Sequence, residues 1–408
     1  MGWNWLPFEA NSVWSHCPPM KYLSAPLLAF FLLAPLHSSA QEAWLVTYGP
    51  GAEVWERFGH NALWLVDEEA GLDHTFSFGY FEMDRAGFYT DFARGVMRYF
   101  GSASTSAREF EFYRGRDRSI TAQKLDLTPA QVRWLHQLLN DAIFPVPQYY
   151  DYDYYFANCS TWLRDLIDEV TAGALAEEMS GQPARQNFRE HTSRLNVQRP
   201  WLHTGLMLLL GPEIDRERTA WEEAFLPDAL AEWVATVSPE GQPLVGETRV
   251  IHESSTHRPP EQAQVLWWFY LLLGLVSAAV ILMPVWLRPG FWSLLPWRLA
   301  VIFAGLSGAL IFAMWFATAH YPVAGNLVVF LLHPLWLAWL MPLGRSVQVT
   351  LWWLLAAAAA AGTILLMMPA GPQYRPDLLL WLAPMVAAML WMARRYPVAA
   401  SRSSASRP

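Results

Sequence analysis

From residue 264 onward the chain carries very little that suits water. Five apolar stretches follow one another, at about 265–287, 299–319, 323–343, 349–370 and 377–393. Each is near the ~20 residues that carry a helix across a bilayer. Backbone polar groups in lipid must be satisfied internally, so this half reads as a bundle of five transmembrane helices. Composition agrees: charged residues make up 16% of the 408, and there are 23 tryptophans, a residue that concentrates at lipid–water boundaries.

The other end carries an export signal. Residues 20–40 read MKYLSAPLLAFFLLAPLHSSA, with Lys21 as a short basic start, an apolar middle and Ser38-Ser39-Ala40 as a cleavage site. Met20 is then the natural start and 1–19 a mis-assigned extension. The alternative is a retained N-terminal anchor with a short apolar core. Arginines give an independent test of orientation. If the first domain is exported, Arg288 and Arg298 lie in a cytoplasmic loop, as do Arg345 and the tail residues Arg394, Arg395, Arg402 and Arg407. The external loop HYPVAG has no Lys or Arg, and only Arg375 goes against the positive-inside pattern. Both signals predict a multi-pass protein of the cell inner membrane with its first domain in the periplasm.

Within that frame, residues 41–235 read as the exported domain, 236–263 as a polar, Pro-rich linker, 264–395 as the membrane domain and 396–408 as a cytoplasmic tail. AWLVTY (43–48), ALWLV (62–66) and TFSFGYF (75–81) are β-prone runs bounded by turn residues. Thr128-Pro129 opens a helix with Val132, Leu135, Leu138 and Leu139 on one face. A second helix follows Cys159, and FLPDALAEWV (225–234) reads as a third. The exported fold class is therefore α+β. A net charge of -8 gives no footprint for nucleic acid. There is no GxGxxG, P-loop, CxxC or HExxH, so neither a cofactor nor a metal is expected.

The chain has two cysteines, and cleavage after Ala40 would remove Cys17. Cys159 is then an inert buried residue, half of an intermolecular bridge, or a reactive thiol. Asn158 is a favoured N-cap, which puts Cys159 at the first helical position. Free N–H groups and the partial positive charge there favour a thiolate and can receive an oxyanion. A thiol nucleophile also needs a base. His136 lies on a helix, and His191 and His203 in polar connecting stretches. His60 stands after Gly59 at the mouth of a β-run, and His74 begins the next. A His60–Cys159 dyad and a purely structural role for both remain open on spacing alone. Tyr150, Tyr152 and Tyr154 read as sheet packing before an acyl groove, and Arg164-Asp165 as a structural ion pair. Asn326 and His333, seven apart, fall on one face of the expected third span, with His320 near its external end.

Longer stretches carry a resemblance. VTYGPGAEVWERFGHNALWLV (46–66), GFYTDFARGVMRYF (87–100), YYDYDYYFANCSTWLRDLIDEV (149–170) and LLLGPEIDRERTAWEEAFLPDAL (208–230) are similar to the Lnb family of membrane-anchored lipoprotein N-acyltransferases. The resemblance places that family's catalytic His and Cys on His60 and Cys159. Gly59, Asn61, Thr161, Arg164 and Asp165 match motif positions, and His74, Asn158 and Ser160 are candidates for orienting the base or supporting the oxyanion. The order His then Cys also resembles circularly permuted relatives of papain-like NlpC enzymes, among them lecithin–retinol acyltransferase. The resemblance implies an acyltransferase that takes an acyl chain from a membrane phospholipid onto a Cys159 thioester. It then passes that chain to the N-terminal amine of a diacylglyceryl lipoprotein. An NlpC-like amidase or peptidase on cell-wall peptide, and a noncatalytic envelope assembly or receptor protein, are the rival readings.

Overall fold

The computed structural model describes residues 41–146, 148–283 and 292–396. The signal segment and extension, Arg288, and the tail with Arg402 and Arg407 lie outside the described residues. The first three β-prone runs become strands β1 (Glu42–Tyr48), β2 (His60–Asp67) and β3 (Leu72–Tyr80). Their alternation sorts two faces. On one, Leu45, Leu63, Leu65 and Phe76 enter the main core. On the other, Trp44, Val46, Tyr48 and Ala62 pack with Phe110 and Tyr113. Strands β4 (Arg98–Thr105), β5 (Ile120–Leu125), β6 (Tyr150–Asp151) and β7 (Val245–His252) complete an antiparallel sheet in the order β6-β4-β3-β2-β1-β5-β7.

Helices α1 (Phe88–Arg94) and α2 (Ser106–Gly115) flank β4 in the chain, and α2 covers the Tyr48 face. The main core receives α3 (Pro129–Ile143) and α4 (Cys159–Val170). Thr128 caps α3 through a capping box with Gln131, as the Thr-Pro signal predicts. Behind α4 lie α5 (Ala174–Met179), α6 (Phe188–Asn196), α7 (Pro200–Leu209), α8 (Ala220–Glu223) and α9 (Pro227–Val234). The stretch 236–263 is no plain linker, because β7 pairs with β5 and is the last strand of the sheet. Its residues are mostly exposed, so no alternating pattern marked it.

In the apolar half, α10 (Trp267–Leu282) precedes three helices long and apolar enough to cross a membrane: α11 (Leu295–Ala317), α12 (Arg345–Met367) and α13 (Pro376–Arg395). The expected span at 323–343 does not form such a helix. Pro322, Gly325 at φ +70° and Pro334 divide it into 3-10 turns at Tyr321–Val323, Leu327–Phe330 and Pro334–Leu340. Among the described residues the five expected spans are thus three long helices, the shorter α10 and this broken segment. Non-helical backbone at membrane depth is tolerated only inside protein, and Val328, Leu331, Leu332 and Trp336 are at most 1% exposed. This segment packs between α11 and α12, against Gly308 on one side and Gly362 on the other.

Asn326 and His333 do not share a helical face; each caps one of these turns, accepting from Val328 N and Leu335 N. Asn326 also donates to the carbonyls of Leu208 and Leu209, at 2.7 and 2.9 Å, which ties the end of α7 to the apolar half. Arg375, the exception to the arginine pattern, is paired with Asp377 and is buried.

A Cβ at Gly308 would stand 1.7 Å from the Leu332 carbonyl. Gly308→Val is therefore expected to cost about 3 kcal/mol or more through overpacking. Gly344→Ala, with nothing within 4 Å, leaves stability nearly unchanged; thermal unfolding in detergent micelles compares the two.

Candidate active site

Helix α4 begins as its sequence dictates. The Asn158 side chain accepts from Ser160 N at 2.9 Å and Thr161 N at 3.0 Å. The Thr161 hydroxyl accepts from Asn158 N at 2.8 Å, closing a capping box. The Asn158 amide group donates to the carbonyls of Tyr154 and Phe225, both at 3.0 Å. With all its groups engaged, Asn158 is a cap that fixes the helix start and has no donor left for an oxyanion. Arg164 and Asp165 pair one turn further on, and Arg164 donates to the Trp221 carbonyl at 2.7 Å. They hold α4 to α8, away from the sulfur.

The start of α4 is locked to the start of β2. Ser160 Oγ donates to Asn61 Oδ1 at 2.8 Å, and both side chains are fully buried. Asn61 in turn donates to Thr47 Oγ1 at 2.9 Å. This bond places the chain neighbours of its two partners, His60 and Cys159, at one end of the sheet. Gly59 makes the turn into His60: it has φ +83°, and a Cβ there would meet the Tyr48 carbonyl at 2.9 Å. Cys159 lies half-buried where β2 and β3 have parted, since their pairing begins only at Leu63 and Phe76. Ser160 Oγ lies 3.8 Å from the sulfur, and the backbone at Asn61 and Ser160 favours a charge on it.

Gly79 is the second special backbone position. It has φ +102° and sits at a β-bulge between Phe78 and Tyr80. A Cβ on it would lie 3.7 Å from Cys159 Cβ. A bulge shifts side-chain alternation by one residue. Tyr80 therefore joins Ser77, whose hydroxyl is 3.0 Å from its own, on the α2 face. There its ring stands edge-on to His60, with centroids 6.5 Å apart at 75°.

The His60 ring lies nearly parallel to Tyr48 (6.2 Å, 17°) and Tyr113 (6.3 Å, 21°). The Arg118 guanidinium covers Tyr113 at 4.7 Å. Burial, with the nearby Arg118 charge, pushes the His60 imidazole down to about 3, so the ring is neutral at physiological pH. Burial also pushes the Cys159 thiol up, and the N–H groups of Asn61 and Ser160 only partly oppose it. Thiol and imidazole are thus both neutral at rest. The thiolate expected from the helix N-terminus alone is not the resting form, because desolvation outweighs it.

His74 does not orient this pair. It pairs with Leu65, five residues along β2 from His60, which is roughly 16 Å at ~3.3 Å per residue. His191 and His203 are buried helical residues, bound to Glu223 at 2.8 Å and to Ser193 at 3.0 Å. Tyr48, Tyr80, Tyr113 and Arg118 escaped the sequence reading, since only the sheet register, the bulge and α2 bring them to His60. Phe110 and Tyr113, three apart on α2, carried the one local signal for such a face.

Fold and site define an α+β domain with a thiol at a helix N-terminus and a histidine on the strand that the Ser160–Asn61 bond ties to that helix, joined to membrane-length apolar helices. Residues 36–194 match the family described as the Lnb N-terminal periplasmic domain. The stretch from β1 into α6, with both His60 and Cys159, is thus an Lnb-type domain. No curated protein and no solved structure matches the chain.

A thiol raised above its ordinary value of about 8.5 has little thiolate at neutral pH. Alkylation of Cys159 by a small neutral reagent is expected to rise about tenfold per pH unit through pH ~8. A plateau near neutrality, the mark of a low-pKa thiolate, would contradict the burial argument.

Proposed function

We propose that the chain is a cysteine-dependent acyltransferase working at the outer face of the inner membrane, on a permuted papain-like exported domain. The observation that supports this reading is the Ser160–Asn61 lock, which ties the chain neighbours of Cys159 and His60 to each other at one sheet end. The Lnb-type domain supports lipoproteins as the acceptor class. The attached apolar helices support lipid as the donor, since an enzyme acting on soluble cell-wall peptide has no need of them. Export of the domain, five crossings of the bilayer and the arginine orientation are parts of the same proposal.

In the first half-reaction the Cys159 proton passes to His60 as the sulfur attacks the ester carbonyl of a phospholipid acyl chain. The Asn61 and Cys159 backbone N–H groups receive the developing oxyanion. The ester C–O bond then breaks, and the proton on His60 goes to the departing lysophospholipid oxygen. In the second, the α-amine of a diacylglyceryl cysteine attacks the thioester. The C–S bond breaks, an amide forms, and the proton released by the amine returns to the thiol through His60. Because both groups start neutral, the proton moves with the attack and no separated charges form beforehand in the apolar site.

Reconstituted in phospholipid vesicles, the chain is expected to move a labelled acyl group to a diacylglyceryl-cysteine peptide. Cys159→Ser should abolish transfer, and His60→Ala should lower it by about 10² or more, the usual worth of a general base. Unchanged transfer in well-expressed Cys159→Ser protein would defeat the proposal.

A further inference from the structure

Helix α1 presents a largely open apolar face: Phe88 stacks on Phe81 at 5.6 Å and Phe92 meets the His320 ring at 6.0 Å, while the rest faces outward. At 100° per residue, Phe88, Tyr89, Phe92 and Ala93 fall on one side and Thr90, Asp91 and Arg94 on the other. No residue of α1 is buried; Tyr89 is 73% exposed and Phe92 42%, with Val96 just beyond at 44%. A seven-residue helix without a buried face has little to hold it in water.

Its position says what covers that face. α11 has 23 residues, about 34 Å at 1.5 Å per residue, enough to cross the ~30 Å hydrocarbon core. It ends at Ala317, and two residues later Ala319 N donates to the Arg94 carbonyl at 2.8 Å. The His320 ring is 2.9 Å from the Phe92 carbonyl through Nε2, which must carry the proton, so Nδ1 accepts from Tyr154 Oη at 3.4 Å. Gly95 packs directly on this backbone: a Cβ there would be 2.9 Å from Ala319 C and His320 N. α1 is therefore fixed at the level where α11 leaves the hydrocarbon, the depth at which amphipathic aromatic helices lie in lipid.

We propose that α1 is an interfacial helix, lying in the outer headgroup layer of the phospholipid bilayer with Tyr89, Phe92 and Val96 against lipid. Ring contacts run inward from it, through His320 and Tyr154 (6.1 Å) to Tyr152 and Tyr99 (4.3 Å). The strand and loop that carry Tyr152 and Tyr154 lead straight into Asn158 and Cys159. The bilayer surface and the thiol are thus held in register by one aromatic segment. This inference rests on α11 crossing the bilayer and not on the thiol chemistry.

The test uses the full chain, with Cys17 and Cys159 replaced by serine, in nanodiscs of phosphatidylethanolamine and phosphatidylglycerol. A nitroxide is attached at Tyr89→Cys, Val96→Cys or Thr90→Cys, one at a time. At 89 and 96, collisions with oxygen are expected to exceed those with a water-soluble nickel chelate several-fold, and at 90 the order should reverse. Equal readings at 89 and 90, or a position 89 screened from both reagents by a second copy or another protein, would overturn the proposal. Because the variants lack the thiol, the outcome is independent of whether the chain transfers acyl groups.

Discussion

The hydrogen bond from Ser160 to Asn61 joins two wholly buried side chains that stand 99 residues apart. Neither is the nucleophile or the base, yet each is chain neighbour to one of them. A buried hydroxyl or amide left without its partner costs about 1–3 kcal/mol, so the lock resists opening. The rest of the site follows from it. Asn158 caps the same turn of α4, and Gly59 and Gly79 supply the two left-handed backbone positions where β2 and β3 approach it.

Two effects compete at the sulfur, and the larger decides its resting state. A helix N-terminus is worth about 0.3–2 kcal/mol to a negative charge, whereas burying an unpaired charge costs several kcal/mol. Desolvation therefore wins at Cys159, and again at His60, where the Arg118 charge adds to it. On the proposed exported side of the membrane, a protonated resting state would be protective, since the thiolate is the form that oxidants attack. Reactivity then depends on substrate bringing the carbonyl into place.

Much of this was legible in the residues. Asn158 followed by apolar side chains at helical spacing gave the start of α4, and β-prone runs bounded by turn residues gave β1 to β3, which are buried on both faces. What stayed hidden has physical reasons. β7 is an exposed edge strand whose middle, Gly246 to Arg249, is polar and whose apolar Val245 and Ile251 lie near its ends, so no regular alternation runs along it. The segment 323–343 has the length and hydropathy of a span, but Pro322, Gly325 and Pro334 make it a buried series of turns. Tyr80 reaches His60 only through a bulge. His74 seemed near His60 in sequence, while the antiparallel register carries it to the far side of the strand pair.

In the proposed function a neutral thiol and imidazole act on lipid from a domain fixed on apolar helices, and the central claim is an acyl–sulfur bond at Cys159. Intact mass of the chain, isolated from membranes while excess phospholipid is present under turnover conditions, tests that claim most directly. The account predicts an acyl adduct on Cys159 that neutral hydroxylamine removes. An unmodified Cys159 under those conditions would contradict it.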